Sequence, residues 1–506
     1  MNRQKKSILN ISSNFLVLLA NTILSFAVRT VFIKILGQDY LGVNSLFTNI
    51  LQVLSLAELG ISTAINYSLY KPLAQNDYKK VAIILNFFKR AYSTIGYIII
   101  AIGICIIPFL GVMLKENTVP NTTLIYLLFL FNTSSMYFIS YKDTLIMADQ
   151  RYYKLGKILF LSNCSIYLLQ ILILYITKNY IYYLLIQIII TLIQRVLCNR
   201  TITKEYIDRV DFHCKDKISK SELKTITDNV KAMFCHRVGY HVVQGTDNII
   251  ISSFINVATA GVYGNYLSLT SMINTLLYTI FTSVTSSFGN LAALENSKTL
   301  ENVFNKLNFL AFIVFGFSTL CFAMLLTPFI TLWVGENYVL SPLITFLICF
   351  NFYIYGIRAP LDTAKEAVGV YREDQYAPLI WSALNIILSV FFVEIFGLIG
   401  VILGTTISSL MVPCWNRPYI VYKYVFHSSS LNYFKDAIKK LIILFLMGLI
   451  ISLITHLITF DNLIVVILWR LFVCISIFSI VVIIIFRKNE EFKFYVEFIK
   501  TKILHK

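Results

Sequence analysis

The chain has 506 residues, 57% of them hydrophobic and only 14% charged, with a mean hydropathy of +0.73. A soluble surface needs about a quarter of charged residues, so a soluble globular domain is excluded. The net charge of +17 does not point to nucleic acid either. The basic residues fall in gaps between apolar runs, where loops beside an anionic cytoplasmic leaflet carry them.

The chain opens with Arg3, Lys5 and Lys6, followed by an apolar stretch to about Leu36. That stretch is longer than a signal-peptide core and lacks a small-residue cleavage site, so it is expected to remain as the first membrane helix. Breaking at polar, Gly and Pro punctuation predicts further spans at 41–69, 92–114, 122–148, 155–177 and 180–199. A polar cytoplasmic linker, 200–228, separates these from 229–254, 259–290, 307–334, 342–368, 378–396 and 397–416. Two more spans at 438–460 and 463–486 precede a basic cytoplasmic tail, 487–506. Runs of this length cross a hydrocarbon core of roughly 30 Å as helices, because no open sheet edge is satisfied in lipid. The fold class is therefore all-α and polytopic, with about fourteen membrane helices. Residues 1–199 form an N-lobe of six helices and 229–416 a C-lobe of six; 417–486 adds two.

Charge asymmetry orients the bundle. The segments placed inside hold about 33 Lys and Arg, eight of them in 200–231 and six after Phe486; the external turns hold Lys115 and Lys178. Both termini are expected in the cytoplasm. The four tryptophans, Trp333, Trp381, Trp415 and Trp469, lie near predicted helix ends, as an aromatic belt would place them. The external turns are too short to hold a catalytic domain. Nine scattered cysteines without a CxxC pair imply neither a disulfide framework nor a metal site.

The halves look related. A shift of about 219 residues places Leu41-Gly42-Val43 on Ala260-Gly261-Val262 and Leu73-Ala74 on Ala292-Ala293, while Leu85-Asn86-Phe87 finds Leu307-Asn308-Phe309 slightly downstream. Such duplications mark secondary transporters, with the substrate between the repeats. No P-loop, GxSxG, HExxH or GxGxxG motif occurs, so no catalytic residue and no cofactor is expected.

Ionisable residues inside the spans carry the functional signal, because a charge in the bilayer normally faces a partner or a wet cavity. Steps of three and four place Asn14, Asn21, Ser25 and Arg29 on one face, and Ser45, Thr48, Gln52 and Ser55, with Glu58 beside them, on another. Asn132, Ser135 and Lys142 with adjacent Asp143 make a third stripe; Arg237, His241, Gln244 and Asn248 with Asp247 make a fourth. The fifth is Asn351, Tyr355, Arg358, Asp362 and Lys365 or Glu366. Five stripes from both halves imply a shared aqueous cavity. For any single residue the alternative is a structural pair, such as Arg358 with Asp362 at i,i+4 or Glu58 with Arg29. His236 and His241 lack the partners a metal site needs. Arg470 stands alone in an apolar run, where snorkelling toward the external end is the expected behaviour; a lipid-tail groove is the alternative.

The stretches Val31-Phe32-Ile33-Lys34-Ile35-Leu36-Gly37, Tyr40-Leu41-Gly42-Val43 and Leu56-Ala57-Glu58-Leu59-Gly60-Ile61 resemble the polysaccharide flippases. These are the O-antigen and capsule repeat-unit transporters of the multidrug/oligosaccharidyl-lipid/polysaccharide (MOP) superfamily. The six-plus-six-plus-two layout resembles that family along essentially the whole chain. The resemblance implies two helical lobes that alternate between inward and outward openings in a bacterial plasma membrane. Its substrate would be an undecaprenyl-diphosphate-linked oligosaccharide, with membrane lipids and a polysaccharide polymerase or other assembly proteins as partners. It implies cavity cations at Arg29, Lys142, Arg237 and Arg358. Glu58, Asp247, Asp362 and His241 are left for ion coupling or charge pairing. Two rivals remain: a MATE-type multidrug antiporter, whose pocket should favour carboxylates, and a membrane polymerase or ligase, which works through larger external loops.

Overall fold

The structure is a computed structural model that describes residues 21–55, 68–69, 72–73, 75–115, 118–149, 151–212, 214, 216, 218, 239, 242–243, 245–370, 373–458 and 460–504. Glu58, Arg237, His241 and Gln244 lie outside these residues. Among the described residues, eleven helices are long and apolar enough to cross a membrane. The chain packs as two compact units, 1–264 and 265–506.

In the first unit, α1 (21–36) ends at Gly37, whose φ of 88° is a turn that L side chains rarely adopt, and α2 follows as Gln38–Leu54. Helix α3, Tyr78–Ile106, begins well before the predicted 92 because Asp77 caps it, its carboxylate accepting from Lys80 N at 3.0 Å. The Lys-rich stretch that marked a loop by charge is thus the first turns of a helix. Helix α4 (Thr122–Ile139) passes through a 3-10 turn, Ser140–Lys142, into an extension, Asp143–Ala148. Helices α5 (Gly156–Thr177) and α6 (Tyr180–Tyr206) make a hairpin, and α7 is described over 245–254. The turn after α3 is tied to the end of α7: Lys115 Nζ donates to the Phe254 carbonyl at 2.9 Å.

Helix α8, Val257–Thr282, starts in the first unit, and its first turns meet α2 at the glycines of the internal match. A methyl group built on Gly42 would collide with the Val257 carbonyl; one on Gly261 would lie 2.7 Å from Gln38 O and 2.8 Å from Gly42 N. The repeat-related glycines let two backbones approach where no side chain fits.

The second unit contains α9 (Ser297–Val334), α10 (Pro342–Gly356), α11 (Ala377–Phe396), α12 (Leu398–Met411), α13 (Leu431–Leu457) and α14 (Leu463–Phe486). Three of its helices are interrupted. Helix α8 stops at Thr282 and resumes as Thr285–Leu294, α10 resumes as Ala359–Val368, and α12 resumes as Pro413–Val421 followed by a π turn to Phe426. Pro360 and Pro413 explain two of the breaks, since proline lacks the N–H and crowds the carbonyl four residues back. The three extensions share one core with the start of α9, built on Phe288, Phe304, Leu361, Ala364, Ile420 and Phe426. At the α8 break, the Phe281 carbonyl accepts from Val284 N at 3.1 Å, and the Thr363 hydroxyl, 3.0 Å from the Ala359 carbonyl, lies 3.3 Å from Phe281 O.

Arg470 does not snorkel. Its Nη1 donates to the Met324 carbonyl at 2.9 Å. Pro328 sits inside α9, so the carbonyl of Met324 has lost its helical donor, and the guanidinium of α14 takes that place. The tail beyond α14 forms α15, Glu490–Leu504, whose Tyr495 stacks on Phe309 with centroids 6.4 Å apart and donates to Lys306 O at 3.1 Å. Burial pushes that phenol up to about 12.

Candidate functional site

Each unit carries its own intramembrane charges. In the first, Arg29 is half-buried on α1, its Nη2 at 3.6 Å from where a methyl group on Gly264 would stand. Lys142 is buried at the α4 break, donates to Thr203 Oγ1 at 2.6 Å and lies 4.2 Å from the Phe212 ring centroid. Asp247 is buried on α7 and accepts from the Tyr263 hydroxyl at 3.3 Å. Much of the polar striping is satisfied within its own helix: Thr48 donates to Asn44 O, Ser55 to Leu51 O and Ser135 to Asn132 O. These hydroxyls do not need a wet cavity.

The second unit holds the densest cluster. Arg358 is only 3% exposed and sits at the α10 break, its guanidinium carbon 5.1 Å from the Tyr355 ring and 5.3 Å from the Trp381 ring. Both contacts are cation–π interactions. Its Nε and Nη1 are enclosed and have no acceptor among the described residues. The i,i+4 pair with Asp362 does not form. Asp362 Oδ1 accepts instead from Arg417 on the α12 extension, and Oδ2 accepts from the Tyr278 hydroxyl of α8 at 2.5 Å. One turn on, Lys365 pairs with Asp374 at 2.5 Å, both buried. Asn351 Nδ2 reaches the Ile402 carbonyl at 3.5 Å, while its Oδ1 is enclosed without a donor among the described residues.

Arg417 and Tyr278 were not among the residues the sequence singled out, and Trp381 was read only as a belt residue. Arg417 lies one residue beyond the predicted end of its span at 416. Trp381, at a helix start, looks like a belt residue, yet it is 3% exposed and covers Arg358. A signal for Arg417 was nevertheless present. The shift that relates the halves carries Asp143 onto Asp362. Each aspartate follows a break in the fourth helix of its half, and each has an arginine of the sixth as electrostatic neighbour: Arg195 for Asp143, Arg417 for Asp362.

An apolar hollow of about 480 Å³ lies among α9, α10 and α13, lined by Leu320, Met324, Phe346, Tyr353, Phe445 and Leu449 among others.

No protein-family description matches the chain, and no curated protein matches it. Solved structures do. The chain is similar to the lipid II flippase MurJ in an inward closed conformation, with a TM-score of 0.66 at 18% identity over 95% of this chain and 99% of that one. It is similar to an inward-facing multidrug resistance MATE family transporter of the MOP superfamily, with a TM-score of 0.59 at 15% identity over 81% and 99%. A Vibrio cholerae MATE transporter, VcmN, gives a TM-score of 0.59 at 13% identity over 83% and 97%. The chain therefore has the all-helical membrane-transporter fold shared by MurJ and the MATE transporters of the MOP superfamily.

Proposed function

We propose that the protein is a flippase that moves undecaprenyl-diphosphate-linked oligosaccharide repeat units from the cytoplasmic to the outer face of a bacterial plasma membrane, by alternating access, for surface polysaccharide assembly. The observation that carries this reading is Arg358, an enclosed guanidinium with unused donors inside the membrane span. In the same unit the intramembrane carboxylates of this cluster already have their own cations, Asp362 with Arg417 and Asp374 with Lys365. An exporter of organic cations needs an uncommitted carboxylate; a carrier of diphosphates needs an uncommitted guanidinium. Arg29, Arg237 and Lys142 are the other cations assigned to the head group, and Glu58, Asp247 and His241 are assigned to ion coupling or charge pairing. An inside-negative potential assists export of an anion by about 2.3 kcal/mol per charge per 100 mV. The apolar hollow of the second unit suits a prenyl chain.

Vesicles containing the purified protein are expected to expose an undecaprenyl-diphosphate-linked oligosaccharide to an impermeant glycosidase, and protein-free vesicles are not. Exchange of an organic cation for Na⁺ or H⁺, with no movement of the lipid, would transfer the chain to the multidrug reading.

Two supporting outcomes concern the membrane frame. Reporter fusions after Lys224 and at Lys506 should both give cytoplasmic signals, since the linker and the tail carry the basic excess. An external signal at either position overturns the orientation. In a background without native cysteines, Cys at Ser55, Gln244 or Asn351 should react with water-soluble thiol reagents. Cys at Ile387, which is 62% exposed on an apolar face, should not. Equal protection of the three cavity positions would mean that the stripes are dry packing.

A further inference from the structure

The second unit contains another guanidinium beside Arg358, and it is already engaged by an anion. Arg417 donates to one oxygen of Asp362, and the Tyr278 hydroxyl donates to the other. The two charged side chains keep 20% and 18% of their exposure, whereas Arg358 is closed in. Arg358 and Arg417 are electrostatic neighbours, and the Lys365–Asp374 pair stands beside them, so three positive charges share this level of the membrane with two carboxylates. The excess is one positive charge, carried by the arginine whose Nε and Nη1 have no acceptor among the described residues. A buried charged donor normally has an acceptor, and a carboxylate held by a guanidinium and a phenol occupies the place a phosphate oxygen would take.

We infer that Arg358 and Arg417 form a two-guanidinium diphosphate site in which Asp362 is the resident anion that the ligand displaces from Arg417. A diphosphate diester brings one negative charge per phosphate, one for each guanidinium; the Asp362 carboxylate it displaces is left as one excess negative charge, which a proton can neutralise. Asp362 acts as a competitor inside the protein, and Tyr278 sets how strongly it competes. Apparent affinity for the diphosphate scales with the fraction of Arg417 not held by Asp362. For its lipid-linked occupant this inference rests on the flippase reading; the site itself requires only a diphosphate.

The test is calorimetric titration of the full chain in lipid nanodiscs with inorganic pyrophosphate, with farnesyl diphosphate and with farnesol. Both diphosphates should bind, the prenyl form more tightly, and farnesol should not compete with pyrophosphate. Arg358→Gln and Arg417→Gln should each weaken pyrophosphate binding by at least about tenfold, the loss of a charge-assisted contact. Asp362→Asn should tighten it by about tenfold through release of Arg417. Because that variant leaves a guanidinium uncompensated, Tyr278→Phe provides a second arm that retains every charge, with about threefold tightening from loss of one hydrogen bond to Asp362. Unchanged affinity in both Asp362→Asn and Tyr278→Phe, or wild-type affinity in Arg417→Gln, overturns the inference. Equal affinity for the two diphosphates overturns the lipid-linked occupant. If the mutant pattern holds in a protein that moves no lipid-linked saccharide in vesicles, the site stands and the flippase reading falls. Lipid transport indifferent to Arg417→Gln does the reverse.

Discussion

Replacing Arg358 by alanine is expected to lower surface-polysaccharide assembly by at least about tenfold at normal protein abundance, because a single hydrogen bond to a charged group is worth about 1.5–3 kcal/mol. Lysine should fall between wild type and alanine. It keeps the charge and the contact with the Tyr355 and Trp381 rings but has no planar fork for a phosphate. Glutamate should be worst, since it repels the phosphates and stands beside Asp362. It does not strand that carboxylate, which Arg417 and Tyr278 hold. The guanidinium also fills space under Trp381, so alanine carries a packing loss of about 0.5–2 kcal/mol per aromatic contact. Arg358→Met, which keeps the length of the stem without the charge, separates the two effects: transport should be lost while membrane abundance is retained. Wild-type polysaccharide from Arg358→Ala at normal abundance would remove this residue from the anion site.

Gly42→Ala is expected to destabilise the protein by about 1–3 kcal/mol, the usual effect of overpacking a tight contact. The added methyl would meet the Val257 carbonyl, and a backbone atom cannot rotate away as the tip of a side chain can. Gly261→Ala should act in the same direction and more weakly, its methyl lying 2.7 Å from Gln38 O and 2.8 Å from Gly42 N. The double variant should be less destabilised than the sum of the two, because the first substitution already separates α2 from α8. Thermal unfolding of the four proteins in one detergent measures this cycle. Strict additivity, or a Gly42→Ala protein as stable as wild type, would mean that the two helices do not meet through these glycines.

Several elements could be read directly from the chain. The spans 122–148, 155–177 and 463–486 recur in the structure to within a residue, because a long uncharged run has one low-energy form in lipid, a helix with its backbone satisfied internally. Arg358 was legible for the same reason: a charge in such a run needs a special environment wherever the helix packs. Asn296 and Asp77 were harder. Their side chains cap α9 and α3 and extend both helices through charged stretches that hydropathy assigns to loops.

Only tertiary structure decided the partners. A proline that ends a helix and one that starts a collinear extension look alike in sequence, since Pro is suited to a first turn in either case. Pro413 is of the second kind: it opens the extension that carries Arg417, which binds an aspartate 55 residues away. Asp362 has an arginine four positions before it and chooses another, because α10 breaks between Gly356 and Ala359 and the α12 extension packs against the segment that follows. Arg470 finds a carbonyl that Pro328 freed 146 residues earlier. Hydrophobic burial is a property of each segment and can be read along the chain. A hydrogen bond or ion pair is a property of two segments in space, and residue spacing gives it only when both partners lie on one unbroken helix.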